Sequence, residues 1–222
     1  METMANMEPQ SPFLQNFAMS SLRPDRFPLS DQLALFREAV SQNQTLTKIL
    51  SDASDLELPE WYLASGCIFQ TVWNVLTGQH PEAGISDYDL VYFDKNDISW
   101  EAEDTVIKRG HEIFGTLATP VEIRNQARVH LWYKEKRGID FPEHESAEAA
   151  IATFPTTTAC LGVRLLSNGD WRIFAPYGFA NLFNFIVRPN PVLTPAHVFK
   201  TKSERWQRQW QYRLIQGQQK QN

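Results

Sequence analysis

Apolar positions early in the chain recur at helical spacing. Leu33, Phe36 and Val40, continued by Ile49 and Leu50, predict a helix opened by Ser30 and Asp31. An acidic, polar connector over 52–59 follows. Trp61-Tyr62-Leu63-Ala64 is a short unbroken apolar run, which predicts a buried strand. Ile68, Val72, Val75 and Leu76 return to helical spacing, and Gly84 to Ser86 deliver a second strand running from Asp87 to Phe93. Ser99 then caps a helix with Ala102, Val106, Ile113 and Leu117 on its apolar side and Gly115 loosening its last turn. Glu101, Glu103 and Asp104 fall in its first turn, where carboxylates complement the helix dipole. Pro120 begins a third strand that ends near Asn125. Strand, helix and strand again predict an α+β fold on a mixed sheet.

Beyond His130 the pattern is weaker. Ser146 to Thr153 reads as a short helix stopped by Pro155. The runs from Cys160 to Leu166 and from Trp171 to Ala175 flank Asn168-Gly169, a strong hairpin signal. Phe179 to Phe185 is expected to be helical, and Pro189, Pro191 and Pro195 to form an extended linker. A final helix carries Phe199, Trp206, Trp210 and Leu214 on one face. Residues 1–20 are expected to be a disordered tail, 21–191 the main domain, and 192–222 a linker with an amphipathic helix packed on that domain.

Composition changes this picture little. Net charge is −5 over 222 residues, which excludes a general nucleic-acid binder. The segment from Pro195 onward carries six basic residues, Lys200, Lys202, Arg205, Arg208, Arg213 and Lys220, against Glu204 alone. Such a helix docks on an acidic body or guides a nucleic acid. Two cysteines, Cys67 and Cys160, are too few for a disulfide framework and point to a reducing, cytoplasmic setting. No apolar run has membrane-spanning length, and no signal peptide is read.

Candidate chemistry gathers at the second strand. Asp87 and Asp89 are two residues apart, so strand alternation points them the same way, about 6–7 Å apart. Paired carboxylates of this kind suit divalent cations that neutralise triphosphate charge and activate a hydroxyl. The bland alternative is a turn residue followed by an exposed strand position. Upstream, Gly66-Cys67 lies at a strand-to-helix turn, where free N–H groups and the dipole favour phosphate. Cys67 is also weighed as a nucleophile at a helix start, but no His-Asn partner is visible around it. Asp94 lies at an odd offset from Asp87 and reads as a strand-end residue.

These blocks together resemble the nucleotidyltransferase fold of the DNA polymerase β superfamily. The closer resemblance is to a little-characterised nucleotidyltransferase-like family of bacteria and fungi. It rests on Gly66 to Asn74, Asp87 to Asp94 and the block Glu122 to His130, which reads Glu-Ile-Arg-Asn-Gln-Ala-Arg-Val-His. Pro-Tyr-Gly-Phe at 176–179 and Arg-Pro-Asn-Pro at 188–191 extend it. Two departures are Cys67, where Gly or Ser is usual, and a long gap from Cys67 to Asp87.

The resemblance implies a polymerase β-like core with flanking terminal helices, and Glu122 as a third metal ligand beside Asp87 and Asp89. It implies Mg2+ or Mn2+ as cofactor and an NTP as substrate, with the acceptor a small molecule, a protein or an RNA. Gly66, Cys67, Asn74, Asn125, Gln126, Arg128 and His130 are the expected nucleotide contacts. For Arg128 a phosphate contact and a structural salt bridge stand side by side. The implied activity is metal-dependent transfer of an NMP group. The alternative is a non-catalytic nucleotide- or protein-binding module on the same fold.

Overall fold

The computed structural model describes residues 23–138, 140–192, 196–210 and 213–214. The expected disordered tail and the Gln-rich end from Gly217 lie outside the described residues, as does Pro195.

The stripe expected to form one N-terminal helix forms two, α1 (Leu29–Ser41) and α2 (Gln44–Asp52). Asn43 makes the break. Its backbone is extended, and its side chain accepts the Leu46 N–H at 2.8 Å, so it is the N-cap of α2. A second hydrogen bond, from Asn43 Nδ2 to Thr71 Oγ1 at 2.8 Å, ties that cap into the core. The connector at 52–59 contains a 3-10 turn, Ala53–Leu56, that buries Leu56.

β1 (Tyr62–Ala64) leads into α3 (Gly66–Leu76), then β2 (Tyr88–Tyr92), α4 (Trp100–Phe114) and β3 (Val121–Asn125). Ser99 caps α4 through the Ala102 N–H. α5 (Val129–Arg137) follows, an element the sequence reading left undefined. α6 (Ala147–Ile151), capped by Ser146, precedes the hairpin β4 (Gly162–Leu165) and β5 (Trp171–Phe174). The hairpin turns at Gly169, whose φ of +83° suits glycine.

The five strands order as β3-β2-β1-β4-β5, with β2–β3 parallel and the other pairs antiparallel. All three β1 residues are buried, as expected for a central strand covered on both faces. One face presents Leu63, Tyr88, Leu90, Ile123 and Val163 to the core that contains the apolar sides of α1 to α3. The other presents Tyr62, Ala64, Val91 and Phe93 to Ala147 and Ile151 of α6.

The C-terminal region corrects the sequence reading in two places. The helix predicted over Phe179 to Phe185 is a single turn, α7 (Ala180–Phe183), and Phe185 beyond it has a φ of +52°. The terminal helix α8 (Ala196–Gln207) ends before Trp210. Beyond it, β7 (Arg213–Leu214), where Leu214 was expected on the face of that helix, pairs in parallel with β6 (Ile186–Val187). Trp206 and Trp210 are buried, packed edge-on to Phe69 and Trp73 at centroid distances of 4.9 and 5.7 Å.

Candidate active site

A single residue, Ser65, joins β1 to α3. Ser65 adopts φ +66°, ψ −127°, a conformation that L residues rarely take, and α3 starts at Gly66. The small-residue pair at the turn is therefore Ser65-Gly66, one position earlier than the sequence reading placed it. Gly66 and Cys67 supply the first helical N–H groups, which by helix geometry have no intrahelical acceptor.

The Cys67 side chain is fully buried, with Sγ 3.3 Å from the Ala64 carbonyl it donates to. Burial first, and the negative charge of Asp89 next, hold its pKa well above the usual thiol value; a hydrogen bond with the Asp89 backbone opposes this, and the charge of Asp87 adds to it. Cys67 is a neutral, inaccessible thiol. What Cys67 can offer a nucleotide is its backbone N–H, the group the sequence also pointed to.

The same electrostatic coupling locates the acidic pair: the charges of Asp87 and Asp89 both reach the first turn of α3. β2 begins at Tyr88, so Asp87 immediately precedes the strand. Asp89 pairs with Ala64 on one side and with Glu122 on the other. Partners in register in a parallel pair share a face, which places Asp89 and Glu122 side by side, with the strands about 4.8 Å apart. Asp87 Oδ2 accepts from Ser86 Oγ at 3.1 Å, and Arg205 Nη1 of α8 lies 3.5 Å from the same hydroxyl. Glu122 is exposed, with a loose 3.8 Å approach to Arg124.

An all-oxygen carboxylate set is the donor chemistry that suits Mg2+ or Mn2+. As the side chains stand, no three His, Cys, Asp or Glu among the described residues gather closely enough to hold an ion. The Glu122 side chain is 51% exposed.

At the far end of β3 the polar block takes structural roles that correct several expectations. Asn125 is 1 % exposed; its side-chain oxygen accepts the Asp94 and Ala127 N–H groups, and its amide donates to the Asp94 carbonyl. Arg128 pairs with Glu103 at 2.5 Å and donates from Nε to the Ile98 carbonyl. The salt-bridge alternative for Arg128 is the one the structure realises. Glu103, read as a first-turn carboxylate that complements the helix dipole, is 1 % exposed and also accepts the Asn125 N–H at 2.8 Å. A signal was present: Glu103 shares the inner row of α4 with Gly110 and Phe114, at spacings of seven and four.

Gln126 is buried, and its backbone N–H closes onto the Tyr92 carbonyl at 2.7 Å. His130 lies beside His144, and its buried Nδ1 has no hydrogen-bond partner among the described residues. Asn74, expected to bond toward the acidic strand or a nucleotide, is fully buried at the other end of α3. It donates to the Pro81 and Ala83 carbonyls and accepts from Trp210 Nε1 at 3.0 Å. Sequence reasoning did not connect Arg205 or Arg124 with the carboxylates; the alternation Glu122-x-Arg124 was the readable sign of the second.

A mixed five-stranded sheet flanked by helices, with carboxylates beside a small-residue turn, defines the class. The chain belongs to the nucleotidyltransferase family, whose sequence profile matches residues 51–213. It is similar to a solution structure described as revealing a CCA-adding enzyme head domain, at 25% sequence identity and a TM-score of 0.64. The match covers 82% of this chain and 95% of that one. No curated relative matches the chain. Among the described residues no helix is long and apolar enough to cross a membrane.

Proposed function

We propose that the chain is a metal-dependent nucleotidyltransferase that moves an NMP group from an NTP to an acceptor hydroxyl or phosphate and releases pyrophosphate. The observation that carries this is the row Ala64–Asp89–Glu122, set directly beside the Ser65-Gly66 turn. Asp87, Asp89 and Glu122 are the residues that would hold the metal. Bound there, divalent ions would offset triphosphate charge and raise the nucleophilicity of the acceptor oxygen. The N–H groups of Gly66 and Cys67, at the positive end of α3, are placed to receive phosphate oxygens. Arg205, adjoining Ser86, adds a cation on the same side. Held this way, the α-phosphorus is presented to an attacking oxygen with pyrophosphate opposite it, so positioning supplies much of the rate.

The separation of the three carboxylate side chains favours a second reading, a module that binds nucleotide without turning it over. Incubation of the chain with α-labelled NTPs, Mg2+ or Mn2+ and a panel of small-molecule, protein and RNA acceptors decides between them. Label transferred by the native chain and not by an Asp87→Asn/Asp89→Asn double variant supports the transferase. Metal-dependent NTP binding with no transfer across the panel supports the module.

A further inference from the structure

A cleft of about 620 Å³ lies beside β3, between Trp100 at the start of α4 and Trp132 on α5. Its volume is that of a small-molecule site. Trp100 is 53% exposed, an indole left in water at the mouth of a cavity. Cations flank both rings: the Arg128 guanidinium lies 5.6 Å from the Trp100 ring centroid, and Lys136 Nζ lies 5.3 Å from that of Trp132. On the floor, Glu103 is neutralised by Arg128. That leaves Arg124 and Lys136 against Glu135, a balance that favours an anion. Arg124 is also the cation 3.8 Å from Glu122, two residues along the same strand and face, so the cleft adjoins the carboxylate row.

We propose that this cleft binds the base and adjoining phosphate of a free mononucleotide, the base stacked on Trp100 and Trp132 and the phosphate held by Arg124 and Lys136. Indoles stack on any base, and a flanking guanidinium and ammonium recognise the phosphate that comes with it. A sugar phosphate has nothing to stack, and an apolar ligand leaves the cations unused. The net charge of −5 favours a free nucleotide over a long nucleic acid. The identity of this ligand as the NTP substrate rests on the proposed transferase reading; the cleft itself does not.

The test is calorimetric titration of the full chain, without divalent metal, with AMP, GMP, CMP, UMP, ribose 5-phosphate and a single-stranded hexanucleotide. At least one mononucleotide is expected to bind, with ribose 5-phosphate at least about tenfold weaker. Trp100→Ala and Trp132→Ala are each expected to weaken the mononucleotide about tenfold or more. Trp132→Phe, which keeps a stacking ring, is expected to hold most of the affinity, with melting temperatures confirming folded variants. The proposal is overturned if no mononucleotide binds, if folded Trp-to-Ala variants bind it unchanged, or if only the hexanucleotide binds. Failure here alongside intact metal-dependent NTP transfer removes the cleft and leaves the transferase. Tryptophan-dependent mononucleotide binding in a chain that transfers nothing upholds the cleft and removes the transferase.

Discussion

The two ends of the β2–β3 pair carry similar side chains and use them in opposite ways. At the beginning, Asp87, Asp89 and Glu122 sit at the rim of the sheet, half-buried or exposed. At the end, Asp94, Asn125, Arg128 and Glu103 bond to one another and to the backbone; Asn125, Arg128 and Glu103 are nearly excluded from water. Density of polar residues is therefore a poor guide to chemistry. What separates the ends is whether hydrogen-bonding capacity is already satisfied within the fold. A carboxylate whose oxygens hold a buried arginine and a backbone N–H is not free to bind a ligand, whereas one at an open rim is.

Matched changes should break the comparison cleanly. Glu122→Gln, at the open end, is expected to lower nucleotidyl transfer about a hundredfold or more, as loss of one charge-stabilising group at a reacting centre does. Its melting temperature should barely move, because an exposed carboxylate contributes little to stability. Glu103→Gln, at the closed end, should do the reverse. It leaves the Arg128 charge buried without its counter-ion, at a cost of about 3–5 kcal/mol in urea unfolding. A Glu103→Gln chain as stable as the native one would show that the closed end is not structural.

Asn74 extends the comparison to α3, whose start faces the site and whose end is sealed. Asn74→Ala removes the acceptor for the Trp210 indole N–H and is expected to cost about 1–3 kcal/mol, read by denaturant unfolding. Metal-dependent NTP affinity should be unchanged, since the residue faces the core.

The smallest effect is expected with pH. Burial first, and the charge of His130 second, lower the His144 pKa below the usual histidine value. Near pH 6.5 and just below, the unfolded chain binds the proton and the folded chain does not. Stability is thus complete above that pH and is lost as pH falls toward the folded-state pKa. His144→Asn should flatten this part of the profile in a series of thermal melts. An unchanged slope would assign it to other groups.

The strands of the five-stranded sheet, the Ser99 cap and the Asn168-Gly169 hairpin were legible in the sequence, because each is written in local chemistry: apolar runs, a capping hydroxyl and a turn dipeptide. The acidic strand and its partner Glu122 were legible through family resemblance together with strand alternation. The break at Asn43 was not, because an apolar stripe continues across it while a side-chain cap resets the helix. Nor was the shift from Gly66-Cys67 to Ser65-Gly66, which depends on a positive φ at a non-glycine residue. The structural use of Asn74, Asn125 and Arg128 was hidden for a different reason. Their partners Trp210, Asp94 and Glu103 come from other elements, and sequence spacing does not reveal that pairing.

In the proposed transferase, metal and triphosphate meet at the beginning of β2, beside the α3 N-terminus. Calorimetric titration of NTP in the presence and absence of Mg2+, on the native chain and on Asp87→Asn/Asp89→Asn, tests it most directly. NTP is expected to bind the native chain with an affinity that Mg2+ strengthens, and the double variant to lose that Mg2+-dependent part with no change in melting temperature. Equal Mg2+-dependent affinity in both chains would contradict it.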